Sequence, residues 1–329
     1  MFHKKTRYLC IIMSVILLSG LLVGCSASTN NSTANQAESK TSSTQQEEIK
    51  QSATAPQSDN QTKPSNTKEP TKVPTPKYTI NDEVIVDNDD CTFKIVKAED
   101  SSWGFTLKTY CENKTADKTL MFTTNQVCVN GYMIDPFWAK EVVAGKKANS
   151  EITFNSSDLK EIGISSPDEI IFELRVYNSD DWNADDFVKG VFTVYPTGKN
   201  PDEIVYPERK TTSDEKVFFD DDRITFVILN TKEDDIWGCT LNCYLENKTD
   251  KTLMFTWEDV SVNGFMIDPF WAREIPSGKR CYSGISFSKT GFEENNITKV
   301  EIIESTMRVY DSNNWLADNI LNETITYEP

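Results

Sequence analysis

Eight cysteines, 51 acidic residues and a single histidine bound the chemistry open to this chain of 329 residues. The histidine is His3. It precedes an apolar run, residues 9–23, that follows Lys4, Lys5 and Arg7. A charged flank and a run of that length read as an export signal, too short to span a membrane comfortably. The run ends Leu22-Val23-Gly24-Cys25, a lipobox-like sequence. That resemblance implies cleavage before Cys25 and attachment of a diacylglyceryl group to its thiol; two acyl chains anchor stably where one does not. The expected location is the outer face of the bacterial cytoplasmic membrane, with the chain reaching into the cell wall. Cleavage would remove His3 and Cys10, leaving no imidazole for a catalytic triad, a general base or a metal site. It would also remove three positive charges and no acids, taking the formal charge from −17 to −20. A polyanion is a poor ligand for nucleic acid. No cofactor is expected beyond the covalent lipid.

Beyond Cys25 there are six cysteines, three in each of two similar halves, at positions that do not correspond. Counting ten residues either way from position 101 places Cys91 opposite Cys111 in a hairpin closed by residues 99–102, close enough for a disulfide. Cys239 and Cys243 lie about 13 Å apart along one strand and cannot pair. Buried free thiols are the weightier expectation, because cysteine packs as a small hydrophobe. Acidic runs recur as Asp87-Asn88-Asp89-Asp90 and Asp220-Asp221-Asp222, so calcium loops through Asp87, Asp89, Asp220 and Asp222 stand as an alternative to solvated turns. Trp103, Trp138 and Trp182 recur as Trp237, Trp271 and Trp315. Trp138, Trp182, Trp271 and Trp315 are candidates for a sugar- or peptide-binding surface. The competing expectation, that these rings close the ends of two cores, carries more weight, and Trp138 and Trp271 lean to it.

The elements behind these residues come in two copies. Asn113-Lys114-Thr115-Ala116-Asp117-Lys118-Thr119-Leu120 is answered by Asn247-Lys248-Thr249-Asp250-Lys251-Thr252-Leu253. Asn130-Gly131-Tyr132-Met133-Ile134-Asp135-Pro136-Phe137-Trp138 is answered by Asn263-Gly264-Phe265-Met266-Ile267-Asp268-Pro269-Phe270-Trp271. An offset of 133 at most positions indicates a duplicated domain and not a short solenoid period. Within each copy apolar residues alternate, as in Phe105, Leu107, Thr109 and Cys111, which predicts half-buried antiparallel strands. Further strands are expected at 152–155, 170–177 and 191–195, with a short helix near 158–162. The Asn-Gly pairs predict type I′ hairpins. The fold class expected is all-β: two tandem antiparallel β-sandwiches at 78–199 and 217–329, joined by a linker at 200–216. They follow a signal at 1–24 and a Ser/Thr/Asn/Gln/Pro-rich linker at 25–77, too polar to fold.

The paired strands, the Asn-Lys-Thr bend, the Asn-Gly hairpin and the late aliphatic strand resemble the telokin-like, immunoglobulin-like domains of bacterial surface lipoproteins. Those domains are similar in fold to the mycobacterial immunoprotective extracellular antigens. The resemblance covers residues 78–329 and implies a fold but no catalytic residue. The expected function is a non-catalytic binding or adhesion module, with a protein or glycan partner at the cell surface. A carboxylate-dependent extracellular hydrolase and a solute-capturing lipoprotein of a transporter are the alternatives.

Overall fold

Alternating burial turns these patterns into strands. In β3 (Gly104–Asn113) Phe105, Leu107, Thr109 and Cys111 face inward while Lys108, Tyr110 and Glu112 are half-exposed. A computed structural model describes residues 77–234 and 238–329, which are all-β, in sheets that are antiparallel apart from one pairing. Cys25, the signal and linker expected before residue 77, and Trp237 lie outside the described residues.

In the first half, β1 (Asn81–Asp87), β2 (Cys91–Ser101), β3 and β7 (Lys147–Asn155) form one sheet in that order. Facing it are β4 (Leu120–Val129), β8 (Ile170–Asn178) and β9 (Val188–Val194), with the short strands β5 (Tyr132–Met133) and β6 (Ala139–Val142) sharing the edge of β4. Phe93 of β2 meets Phe122 of β4 at 6.4 Å and Phe172 of β8 at 6.5 Å, so the inner faces of the two sheets share one core.

The second half repeats this plan. The strands β10 (Lys216–Asp220), β11 (Ile224–Asp234), β12 (Gly238–Asn247) and β16 (Arg280–Ser288) face β13 (Leu253–Val262), β17 (Ile303–Asp311) and β18 (Leu321–Tyr327). On the edge of β13 lie β14 (Phe265–Met266) and β15 (Ala272–Ile275). Phe226 and Trp257 cross between its sheets at 6.1 Å.

Two recurring devices hold each half. Asn113 is buried and donates to the carbonyls of Lys118 and Val142 at 2.8 Å each, tying β3 to the start of β4 and the end of β6. Asn247 does the same with Lys251 and Ile275. The Asn-Lys-Thr bend is therefore a buried staple. At both Asn-Gly turns the two residues have positive φ, 44° and 82° in the first and 50° and 82° in the second, as a type I′ turn requires. The short helix Ser156–Ile162 covers the segment where one was expected.

The halves are joined through a sheet. The start of β16 pairs in parallel with β5, Arg280 against Tyr132, and makes one continuous sheet from β10 to β9. The Tyr132 and Tyr282 rings stack at 5.9 Å with their planes 7° apart, and the Tyr132 hydroxyl donates to the Pro207 carbonyl at 2.9 Å. Val227 and Tyr244 of the second half lie in the first core, while Met133 of the first packs on the second. The positive φ of Gly131 aside, a Cβ there would sit 2.6 Å from the Tyr206 ring, so the seam itself requires glycine.

The cysteine register differs from the expectation. Cys91 stands opposite Asn113, and Cys111 opposite Phe93. The hairpin turns at Ser102 and Trp103, and a bulge between Ile95 and Lys97 adds one residue on the β2 side. The two thiols are diagonal neighbours on one face, buried and free, as are Cys128, Cys239, Cys243 and Cys281.

Candidate functional site

Between β5 and β6 the chain leaves the edge of β4 in an Ile-Asp-Pro-Phe-Trp bend. Ile134 is buried and its N–H donates to the Val127 carbonyl at 2.9 Å, pinning one side. Trp138 pins the other. Its ring is buried, 5.7 Å from Phe93, and its Nε1 donates to Ser150 Oγ at 3.0 Å. Between the pins, Asp135 Oδ1 accepts from the backbone N–H of Phe137 at 2.8 Å, an Asx turn that holds Phe137 at φ 46°. The consequence is a phenylalanine ring 92 % exposed.

The second half builds the same object. Ile267 is buried and donates to the Val260 carbonyl, and Trp271 is buried with Nε1 donating to Ser283 Oγ at 3.1 Å. Asp268 Oδ1 accepts from Phe270 N–H at 2.8 Å, and Phe270 stands at φ 49° and 85 % exposed. Left-handed backbone at a bulky residue costs on the order of 1–3 kcal/mol. Interrupting an edge strand with proline and a bend guards it against aggregation. That purpose needs no phenylalanine, and Gly or Asn would suit the backbone better. Both copies nevertheless keep the ring.

The expected aromatic candidates therefore divide. Trp138 and Trp271 are core residues that brace the bend. Trp182 and Trp315 are exposed, in the β8–β9 and β17–β18 loops, and Trp103 is exposed at the β2–β3 turn. Phe137 and Phe270 were not singled out from the sequence. Their signal was the duplicated Asp-Pro-Phe, whose Asx turn fixes which residue points outward.

The acidic loops carry cations of their own. Lys114 Nζ donates to Asp87 Oδ1 at 2.6 Å and to the Asn88 carbonyl at 2.7 Å. Lys248 Nζ repeats this with Asp220 Oδ1 at 2.7 Å and the Asp221 carbonyl at 2.6 Å. An ammonium thus occupies the carboxylate-plus-carbonyl oxygens that a bound cation would use. Hydrogen bonds from Lys114 and Thr92 hold the Asp87 carboxyl below its ordinary range, and those from Lys248 and Thr225 do so for Asp220. Asp89 and Asp222 are exposed. Among the described residues no group of three or more His, Cys, Asp or Glu side chains is placed to hold a metal ion.

The six thiols of the two halves are buried. Burial pushes Cys91, Cys239 and Cys281 up to about 11, and Cys111 and Cys128 up to about 12. A thiol that stays protonated is a poor nucleophile. The arrangement can present flat apolar rings on rigid bends, which is chemistry of recognition. Compared with known proteins, the chain matches no family model and no curated protein.

Proposed function

We propose that this chain is a lipid-anchored bacterial surface protein, held through Cys25, whose two immunoglobulin-like sandwich domains form a non-catalytic binding module. The partner is a protein or glycan at the cell surface, gripped by Phe137 and Phe270. The observation that carries this reading is the duplicated display of one phenylalanine, fully solvated and at positive φ, braced from below by Trp138 or Trp271. A rigid exposed aromatic supplies a large contact area with little rotamer entropy to lose, which suits a binding anchor. The exposed Trp182 and Trp315 are secondary contacts in this reading.

The test places a photo-crosslinking phenylalanine analogue at 137, at 270, or at Val191, an exposed control site on β9. The chain is then applied to intact cells. Crosslinks to one discrete species from both 137 and 270, above the control, are the expected result. Equal yields at all three sites would refute the assignment. Anchoring is tested separately, since Cys25→Ser should abolish partition into detergent.

A further inference from the structure

The seam between the halves joins two unlike surfaces, and each of them occurs a second time with no partner among the described residues. One surface is the hairpin arm Gly131-Tyr132-Met133. Its copy, Gly264-Phe265-Met266, leaves Phe265 46 % and Met266 68 % exposed, and open space surrounds Gly264. The other surface is the start of β16 with its neighbours. There the Tyr244 hydroxyl donates to Glu246 at 3.0 Å, Arg280 Nε pairs with Glu246 at 3.1 Å, and Arg209 lies over the Tyr244 ring. Its copy is the start of β7. The Tyr110 hydroxyl donates to Glu112 at 2.8 Å, Lys147 pairs with Glu112 at 3.2 Å, and Lys94 lies over the Tyr110 ring.

We infer that copies of this chain associate head to tail, the β14 arm of one seating against the start of β7 of the next. The contact repeats the geometry already made inside each chain. Phe265 stands in place of Tyr132 and keeps the ring. The contact is weaker than its internal model. Asn149 stands where the seam has Tyr282, and Lys94 where it has Val227. Asp259 would meet Glu141, whereas the seam pairs Gln126 with Glu274 at 2.7 Å. Less apolar area and one like-charge pair give an association that salt strengthens by screening. Because donor and acceptor differ, a dimer keeps one free arm and one free acceptor, and association continues past it into longer chains or a ring.

Sedimentation velocity of the chain from Ser26 to Pro329, over a range of concentrations, tests this. The sedimentation coefficient should rise with concentration, further at high salt, and pass beyond the value of a dimer. Phe265→Asp with Met266→Asp, both at exposed positions, should abolish the rise and leave the melting temperature in place. Asn149→Tyr with Asp259→Gln makes the contact more like the seam and should tighten association about tenfold or more. A parent chain that stays monomeric to about 1 mM overturns the inference. So does association that stops at a dimer or is indifferent to the Phe265 and Met266 changes.

Discussion

Replacing Tyr132 by alanine should uncouple the two halves, and the duplication supplies a matched control for the size of the effect. Tyr132 is fully buried between the cores, stacked on Tyr282, with the Arg280 guanidinium 5.7 Å from its ring centroid. Loss of a buried aromatic of this size costs about 3–5 kcal/mol. Of that, the stack accounts for about 0.5–1.5 kcal/mol beyond area. Tyr132→Phe keeps the ring and removes the hydroxyl, with its bond to Pro207 and its interactions with Arg280 and Tyr244, and should cost about 0.5–1.5 kcal/mol. Phe265→Ala, at the same position of the second hairpin, leaves no cavity in a seam and should cost less than about 1 kcal/mol. Denaturant unfolding followed by circular dichroism reads all three variants. The parent should unfold in one transition, because Val227 and Tyr244 bind the second half to the first core. Tyr132→Ala should split the curve into two transitions, the earlier at clearly lower denaturant. If Tyr132→Ala keeps a single transition within about 1 kcal/mol of the parent, the seam is not an energetic unit and the reasoning fails.

Truncating the brace beneath each bend, Trp138→Ala or Trp271→Ala, should cost about 3–5 kcal/mol, and a melt as late as the parent's would show that the rings are not core. Asp168 lies in the loop before β8, where burial works against its ionisation, but hydrogen bonds from Lys199, Ser166 and Thr197 outweigh it and lower its pKa. A carboxyl lowered on folding contributes stability above its unfolded value, about 3.9, and loses it as pH falls through the folded value. Asp168→Asn should therefore flatten the loss of stability in that acid range, and an unchanged pH profile would count against the assignment. The six core thiols should resist iodoacetamide at pH 8 in the native state and react fully in denaturant. Rapid native labelling of any of them would contradict its burial.

Local rules carried the reading furthest. Two consecutive residues of positive φ are a property of the Asn-Gly dipeptide itself, so both hairpins were legible without any knowledge of the core. The alternation of Phe93, Ile95, Leu107 and Cys111 placed the strands for the same reason. Pairing was less legible, because one unpaired residue at a bulge shifts every partner beyond it. Cys91 moved from Cys111 to Asn113 through the turn position and that bulge. At the bend, the inward lean of Trp138 was legible from its place after Asp-Pro, but the outward Phe137 was not, because it depends on the Asx turn at Asp135. The seam was invisible to any rule applied to one copy at a time. Its trace is in the differences between copies, where Val227 replaces Lys94 and Tyr282 replaces Asn149, since an outer-face position that turns apolar in one copy only is being covered by something.

A sheet that runs unbroken through two cores is also a ruler. Stacked rings, a shared rung and a glycine that admits no side chain leave the seam little room to bend, so the separation of Phe137 from Phe270 is set by the fold and not by a tether. In the proposed binding role, two grips at constant spacing would engage a partner that repeats at that spacing with the second encounter already prepared, and avidity would rise steeply without any new contact. On a partner with any other spacing only one grip can close, so the seam would make period, as much as composition, a property the protein selects.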